Sequence, residues 1–139
     1  MREILFRGKR IDNGEWVEGK GIDLNFNDAY ILTKEYDSCS GYYMGEVEVI
    51  PDTVGQFTGL TDKNLKKIFE GDIVSINEHE DCVNGVYAIA WDNENHCWKM
   101  TRDCLYHFDY FSFSELNGFN ESCEVIGNIH DNPELLEDK

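Results

Sequence analysis

The sequence predicts a mainly β protein built from antiparallel strands with little helix. Short segments in which apolar and polar residues alternate recur along the chain, as in Glu46–Ile50 and Ile73–Ile76. Turn-forming pairs such as Asn13-Gly14 and Pro51-Asp52 separate them. No long segment repeats its apolar residues at the helical period of about 3.6 residues. With 139 residues, the chain is the size of one compact unit with its own core.

Residues 1–60 are predicted to form an antiparallel layer that begins with a hairpin. Ile4–Arg7 and Glu15–Glu18 flank a turn that contains Asn13-Gly14. Asn-Gly is the preferred pair of a tight hairpin because both residues tolerate positive φ. The strand that ends this layer is Glu46–Ile50, in which both Val residues share one face. Proline at position 51 is expected to end it, since proline cannot donate to the ladder.

A second strand pair is predicted within the same layer. Ala29–Leu32 and Gly41–Met44 are both apolar, and the polar segment 35–38 separates them. That arrangement is typical of two antiparallel neighbours joined by a solvated turn.

Residues 61–139 predict an SH3-like barrel or roll that ends in a short helical turn. Gly71-Asp72 leads into an alternating strand, and the segment 87–91 places Tyr87, Ile89 and Trp91 on one face. A turn at 92–95 then leads into a strand at 97–100. This order resembles the strand, loop and hairpin of small SH3-type barrels, a likeness that specifies no function.

The last part of the chain predicts an aromatic cluster, a final strand and a helical turn. The cluster consists of Phe108, Tyr110, Phe111 and Phe113, and the strand is Val125–Ile129. We expect Asp131 or Asn132 to cap the turn Pro133–Leu136, because proline is favoured at the first helical position.

The chain is strongly acidic, with a formal net charge of −16. Residues 71–139 hold 15 of the 28 Asp and Glu residues but only 3 of the 12 Lys and Arg residues. Such a field repels phosphate backbones and anionic lipid, so it disfavours nucleic acid and membranes as partners. It favours a basic protein partner, although acidic surfaces also serve solubility alone.

Five cysteines and four histidines raise the question of a metal site. His79 and Cys82 lie three residues apart, as do Cys104 and His107, so tetrahedral zinc could take two ligands from each pair. The chain has no Cys-x-x-Cys, and buried thiols with surface histidines are the favoured interpretation. We therefore predict no cofactor. The acidic segment 77–81 lacks the calcium-loop pattern and is read as a solvated loop.

Known catalytic motifs are missing from the sequence. It contains neither a Gly-x-Ser-x-Gly elbow nor a phosphate-binding glycine loop. Ser112 and Ser114 lie among aromatic residues and are read as strand residues. We therefore predict a protein that is not an enzyme, with an unrecognised active site as an open alternative.

The basic residues near the N-terminus and the three tryptophans each allow a structural and a binding interpretation. Arg2, Arg7, Lys9 and Arg10 form a basic cluster, with Arg7 and Lys9 on one face of a strand. They are interpreted as solvated charges at a sheet edge, and a nucleic-acid contact is the alternative. The three tryptophans Trp16, Trp91 and Trp98 are expected in core or inter-sheet packing, with a ligand-stacking surface as the alternative.

Several short phrases in order resemble the YopX family of phage and prophage proteins. They are Phe6-Arg7-Gly8-Lys9, Gly14-Glu15-Trp16-Val17, Thr53–Leu60, Ile68–Val74 and Val125–Ile129. The resemblance implies a mostly β fold, a phage or prophage origin and residence in the host cytoplasm. It implies no catalytic residue. The family usually carries glycine where this chain has Leu65, so we expect Leu65 to avoid the left-handed conformation.

The leading functional hypothesis is therefore a non-enzymatic accessory protein of a phage that binds another protein, from host or phage. A module that binds nucleic acid or nucleoprotein through the basic N-terminal face is the second hypothesis. Exposed strand edges and the aromatic content make a homo-oligomer a further hypothesis. The sequence predicts cytosolic residence, because it has neither a secretory signal nor an apolar run long enough to span a membrane.

Overall fold

The computed structural model describes residues 3–77, 85–103, 108–112 and 122–137, with side chains described outside 102–112. Over these residues the fold is mainly β, with three antiparallel sheets and two short 3-10 helical turns, which confirms the predicted fold class. The chain divides into two compact units, Met1–Phe57 and Thr58–Lys139.

The first unit contains two antiparallel arrangements of strands. Its strands are β1 (Phe6–Lys9), β2 (Trp16–Gly19), β3 (Gly21–Asn25), β4 (Asp28–Asp37), β5 (Gly41–Val49) and the start of β6 (Gly55–Thr61). β1 pairs with β2 on one side and with the start of β6 on the other. β3, β4 and β5 form a three-stranded sheet with β4 in the centre.

The predicted β1–β2 hairpin is present, but its turn differs from the tight Asn-Gly type. The amide of Arg10 donates to the carbonyl of Glu15 at 2.8 Å, and the amide of Gly14 donates to the carbonyl of Arg10 at 3.0 Å. Only Gly14 has a positive φ, 73°. Asn13 instead accepts a hydrogen bond from the Glu15 amide through its side chain. The expected positive φ at Asn13 is therefore wrong, because its side chain holds a longer loop.

The core of the first unit lies against the β4–β5 pair. Ala29, Ile31 and Val49 are fully buried, and Phe6, Val17 and Val54 pack against them. The predicted alternation in Glu46–Ile50 is confirmed, since Val49 points into this core while Glu46 and Glu48 are exposed. The segment is the end of the longer strand β5, which stops before Pro51 as expected. The 3-10 turn Pro51–Thr53 that follows was not predicted.

Gly19 is required where β2 approaches β4. A Cβ atom at this position would overlap the carbonyl oxygen of Leu32. Because that neighbour is backbone, it cannot move aside as a flexible side chain could. The close approach of the two backbones in the first unit therefore needs glycine at the end of β2.

The second unit is built on an open five-stranded antiparallel sheet. After β7 (Lys67–Phe69), which neighbours β6, its strands are β8 (Asp72–Ile76), β9 (Gly85–Asp92), β10 (Cys97–Asp103), β11 (Phe108–Ser112) and β12 (Cys123–Asn128). The sheet order is β11-β10-β9-β8-β12, so β11 and β12 are its two edges. The strand–hairpin order that we predicted is present, but the described strands do not close into a barrel. The SH3-like barrel is thus not confirmed.

One face of this sheet carries the core of the second unit. Ile68, Val74, Ile76, Tyr87, Ile89, Met100 and Cys123 form a buried cluster. Leu60, Trp98 and Val125 pack against it. Tyr87 and Ile89 lie on the same side of β9, as the period of two predicts.

Leu65 contradicts its sequence-based expectation. Its φ is +64°, in the left-handed region, and its side chain is 82% exposed. Asp62 holds this turn, because its side chain accepts hydrogen bonds from the amides of Asn64 and Lys66 at 2.8 and 2.9 Å. The backbone hydrogen bonds that close the turn fix its geometry, so leucine occupies a conformation that glycine would adopt without cost.

The helical turn near the C-terminus is also present, but without the predicted cap. Pro133–Leu136 is a 3-10 turn with Asn132 at the N-cap position and no capping side-chain hydrogen bond. The Oδ1 atom of Asn132 instead accepts a hydrogen bond from the amide of Asn128 at 3.4 Å. Asn132 therefore links the turn back to β12.

Candidate functional site

The β4–β5 hairpin extends beyond the third strand of its sheet. β3 pairs with β4 only from Asn25↔Asp28 to Gly21↔Leu32. β4 and β5 continue as a two-stranded ribbon to Asp37↔Gly41. We call residues 34–44 the hairpin end. Every residue in it is exposed except Gly41, which is half-buried. In the first unit, the hairpin end therefore presents both of its faces without packing against the core.

Large side chains are concentrated on this ribbon. Tyr36, Tyr42, Tyr43 and Met44 are 65%, 69%, 51% and 71% exposed, respectively. The register places Tyr36, Tyr42 and Met44 on one face and Tyr43 on the other. A group of exposed aromatic and Met residues of this kind is typical of a protein-interaction surface.

Two of the tyrosines form a cross-strand pair. Tyr36 lies directly opposite Tyr42, with ring centroids 5.0 Å apart and ring planes inclined at 60°. The Nζ atom of Lys34 lies over the Tyr42 ring, 4.3 Å from its centroid. Cross-strand aromatic pairs contribute roughly 0.2–1 kcal/mol to strand pairing. These contacts stabilise a ribbon that no third strand joins among the described residues.

The same face continues along β4 into an acidic region. We call the side of the β3–β4–β5 sheet that carries Tyr30, Lys34 and Tyr36 the outer sheet face. Glu48 lies opposite Tyr30 on β5, and Asp23 lies opposite it on β3. The pKa of Tyr30 is raised, most strongly by the negative charge of Glu48 and next by partial burial. The charges of Asp28, Glu46 and Asp23 act in the same direction. The acidic end of the outer sheet face thus gathers four carboxylates around one phenol.

Phe26 is a second exposed aromatic residue in the first unit. It lies in the two-residue turn between β3 and β4, with a φ of 50° and a fully exposed side chain. Leu24, two residues earlier, is 68% exposed. The turn is at the end of β4 opposite to the hairpin end, so the two exposed groups are separate.

The basic N-terminal cluster is largely used within the chain. The Cζ atom of Arg7 lies 4.7 Å from the centroid of the Trp16 ring, on the neighbouring strand. Arg10 donates two hydrogen bonds to the Asp12 carboxylate at 2.9 and 2.8 Å. This hydrogen bonding lowers the pKa of Asp12 and raises that of Arg10. Arg2 lies outside the described residues.

The other two tryptophans form a pair in the second unit. Trp91 and Trp98 are cross-strand neighbours on β9 and β10, with centroids 5.0 Å apart in an edge-to-face arrangement. Trp98 packs on the core cluster, whereas Trp91 is 39% exposed at the end of the strand. Trp98 therefore has the packing role expected from the sequence.

The zinc candidates are not placed by the structure. His79, Cys82, Cys104 and His107 all lie outside the described residues, as does most of the acidic segment 77–81. Within the described part of the chain, no three His, Cys, Asp or Glu side chains are grouped to hold a metal ion. Those ranges also hold no helix with the length and apolar character needed to cross a membrane.

Three cysteines can be described, and all are free thiols. Cys39 is exposed in the β4–β5 turn, Cys97 is half-buried at the start of β10, and Cys123 is buried. Burial raises the pKa of the Cys123 thiol to about 12, and the negative charge of Asp62 acts in the same direction. Cys123 is therefore protonated and inert in the folded protein at neutral pH.

The family model of the YopX protein matches residues 5–137. The chain belongs to the YopX family. Among solved structures, it is similar to protein EF1440 from Enterococcus faecalis, with a TM-score of 0.56 and 22% identity over 99% of this chain and 100% of that one. At this identity the likeness shows a shared fold. The curated proteins contain no match.

The hairpin end of this YopX-family chain was not predicted from its sequence. The signal lay in Gly41–Met44, where Tyr42, Tyr43 and Met44 follow one another without a polar residue. In a two-stranded ribbon, such a run places large side chains on both faces. A strand with both faces buried gives the same sequence pattern. The exposure of the ribbon becomes visible only in the structure, where β3 begins at Gly21 and does not pair with β4 beyond Leu32.

Proposed function

We propose that this YopX-family protein is a non-enzymatic accessory protein of a phage or prophage, and that it acts in the host cytoplasm by binding another protein through the hairpin end. The observation that carries the proposal is the exposure of Tyr36, Tyr42, Tyr43 and Met44 on a ribbon that extends beyond the pairing of β3 with β4. Tyrosine and methionine are enriched in protein interfaces, and tyrosine is prominent among residues that dominate binding energy.

The ribbon geometry supports this role. Two-stranded ribbons are marginal in water, and the sheet gains no core packing from its last residues. Side chains that stay exposed on both faces are available to a partner that encloses the ribbon. The phage origin and cytoplasmic residence rest on the resemblance described above.

Nucleic acid is the weaker candidate for the partner. The net charge of −16 opposes association with phosphate backbones, and Arg7 and Arg10 already contact Trp16 and Asp12. A protein partner needs no basic surface on this chain. The hairpin end itself contains one basic residue, Lys34, and two acidic residues, Glu35 and Asp37.

The test compares two triple variants in affinity purification from the host cell. In the hairpin-end variant, Tyr36, Tyr43 and Met44 are each replaced by Ser. In the control variant, Ser replaces Ile4, Leu24 and Leu65, which are 43%, 68% and 82% exposed. Both variants therefore lose three exposed apolar side chains.

A partner identified by mass spectrometry is then purified. Its affinity for the wild type, the hairpin-end variant and the control variant is measured by calorimetry. We expect the hairpin-end variant to bind at least about 100-fold more weakly, since residues that dominate an interface each cost about 2 kcal/mol or more on truncation. The control variant should bind as the wild type does. Equal binding by both variants would falsify the proposal.

A further inference from the structure

The outer sheet face combines an aromatic end with an acidic end on one strand. Tyr36 and Tyr30 both lie on β4 with their side chains on this face, six residues apart. At about 3.3 Å per residue, the tyrosine pair and the carboxylates around Tyr30 are separated by roughly 20 Å. Both ends belong to the same sheet of the first unit, so this spacing is fixed by the strand.

The aromatic end already accommodates a positive charge. The Lys34 ammonium lies 4.3 Å from the centroid of the Tyr42 ring, and Tyr36 adjoins that ring at 5.0 Å. An ammonium or guanidinium group is attracted to the negative face of an aromatic ring. Tyr36 and Tyr42 remain 65% and 69% exposed, so both rings are open to a cation from another molecule.

The acidic end complements the same kind of ligand. Asp23 and Glu48 lie directly across from Tyr30 on the two neighbouring strands. Asp28 precedes Tyr30 by two residues on the same face of β4, and Glu46 lies across from Leu32, the next residue of β4 on that face. With one exposed Lys on the face and a net charge of −16 on the chain, the potential there favours cations.

We propose that the outer sheet face binds an extended, basic segment of the partner protein, with one Arg or Lys side chain on the Tyr36–Tyr42 pair and a second basic group at the carboxylates around Tyr30. Lys34 occupies the aromatic end in the free protein and yields it to the incoming side chain. This inference rests on the proposed protein-binding function and specifies the chemistry of its partner.

The direct test uses a synthetic peptide with two arginine pairs separated by a Gly-Ser spacer, so that the pairs lie about six residues apart when extended. Binding is measured by calorimetry and by NMR shifts of the tyrosine rings at low salt. A peptide with citrulline in place of arginine is the uncharged control. We expect the arginine peptide to bind and the citrulline peptide to fail.

Neighbouring tyrosines provide the matched variants. Tyr42→Leu should weaken binding of the arginine peptide about fivefold, because a cation over an exposed ring contributes on the order of a fivefold gain in affinity. Tyr42→Phe keeps the ring and should retain the affinity. Tyr43→Leu makes the same replacement on the opposite face of the ribbon, outside the outer sheet face. It should leave the affinity for the arginine peptide unchanged, whatever its effect on the natural partner. Lys34→Met removes the internal competitor and should not weaken binding.

Charge variants test the other end of the outer sheet face. The pair Glu46→Gln and Glu48→Gln should weaken binding, whereas Glu35→Gln on the opposite face should not. Equal losses from Tyr42→Leu and Tyr43→Leu would overturn the aromatic subsite, and so would a loss in Tyr42→Phe. An arginine peptide that does not bind the wild type overturns the whole inference. These outcomes would leave the proposed function intact if the hairpin-end variant loses binding to the natural partner and the control variant keeps it.

Discussion

The Oδ2 atom of Asp62 accepts a hydrogen bond at 3.0 Å from the amide of Val125, which lies 63 residues further along the chain. The Oδ1 atom of the same carboxylate accepts from the amides of Asn64 and Lys66. Asp62 is 3% exposed. One buried side chain therefore shapes the turn 62–66 and attaches it to β12 in the second unit.

We expect Asp62→Ala to destabilise the protein by about 3 kcal/mol. The replacement leaves three amides without their acceptor, and hydrogen bonds to a charged group contribute roughly 1.5–3 kcal/mol each. Urea unfolding followed by tryptophan fluorescence measures the change. Asp52→Ala is the matched control, since Asp52 is exposed, and its effect should stay within about 0.5 kcal/mol. Equal effects of the two replacements would contradict the role of Asp62.

The stabilisation by Asp62 should disappear in acid. Burial alone would raise the pKa of Asp62, but hydrogen bonds from the amides of Val125, Lys66 and Asn64 lower it overall. A carboxyl whose pKa is lower in the folded state stabilises the fold above its unfolded pKa, about 3.9 for Asp. This stabilisation is lost as the pH falls through the folded pKa.

The measurement compares the wild type with Asp62→Ala between pH 7 and pH 2. The free energy of unfolding of the wild type minus that of Asp62→Ala should be constant near neutral pH and should decrease below about pH 4. A difference that stays constant to the lowest pH would show that the Asp62 carboxylate is not responsible. Other acidic groups contribute equally to both proteins and cancel in the comparison.

Local sequence patterns predicted most of the strands, but they could not predict whether the sheet closes into a barrel. The alternation around Glu46–Ile50 and the run Tyr87–Trp91 each depend on neighbouring residues alone, and both are strands. Whether a barrel closes depends on pairing between strands that are far apart in the chain, as in the pairing of β12 with β8, and local patterns carry no information about such pairs. The Asp62–Val125 contact is equally invisible to local reasoning. The left-handed conformation of Leu65 follows from the other hydrogen bonds of Asp62, accepted from the amides of Asn64 and Lys66, which shape the turn.

The site was harder to predict than the fold for the same reason. Tyr42, Tyr43 and Met44 lie in the predicted strand Gly41–Met44, but this strand continues to Val49. Its predicted partner, Ala29–Leu32, pairs with Glu46–Val49 instead, and Gly41–Met44 pairs with the continuation of β4. Their exposure depends on where β3 begins, at Gly21 after the bend at Lys20, because β3 pairs with β4 only as far as Leu32. The predicted zinc candidates remain predictions, because His79, Cys82, Cys104 and His107 lie outside the described residues.

Leu65→Gly should stabilise the protein by about 1 kcal/mol. Leu65 has a φ of +64°, a conformation that costs a residue with a Cβ atom roughly 1–2 kcal/mol. Its side chain is 82% exposed, so little packing is lost on truncation. Greater freedom of glycine in the unfolded chain offsets part of the gain. Leu65→Ala is the control, because it shortens the side chain but keeps the strained conformation. The shift in thermal unfolding midpoint should be positive for Gly only.

Cys123 should resist alkylation as long as the second unit is folded. Its thiol is buried and has a pKa of about 12, so little thiolate exists at neutral pH. Iodoacetamide at pH 8 should modify the exposed Cys39 quickly and Cys123 at least about 100-fold more slowly. Peptide mass spectrometry follows both sites in one sample. In urea, the two rates should become similar, and rapid native labelling of Cys123 would show that its strand opens.

Glu48→Gln should lower the pKa of Tyr30. Among the influences that raise this pKa, the charge of Glu48 is the largest, and Glu48 lies directly across from Tyr30 on β5. Removing one negative charge makes the phenolate less unfavourable, so Tyr30 should ionise at a lower pH than in the wild type. NMR titration of the tyrosine rings resolves Tyr30 from the hairpin-end tyrosines. Glu35→Gln removes a charge from the opposite face and should leave the Tyr30 pKa almost unchanged. Similar shifts in the two variants would mean that the four carboxylates act as a diffuse field rather than a local acidic end, and a partner's basic group would then have no defined position there.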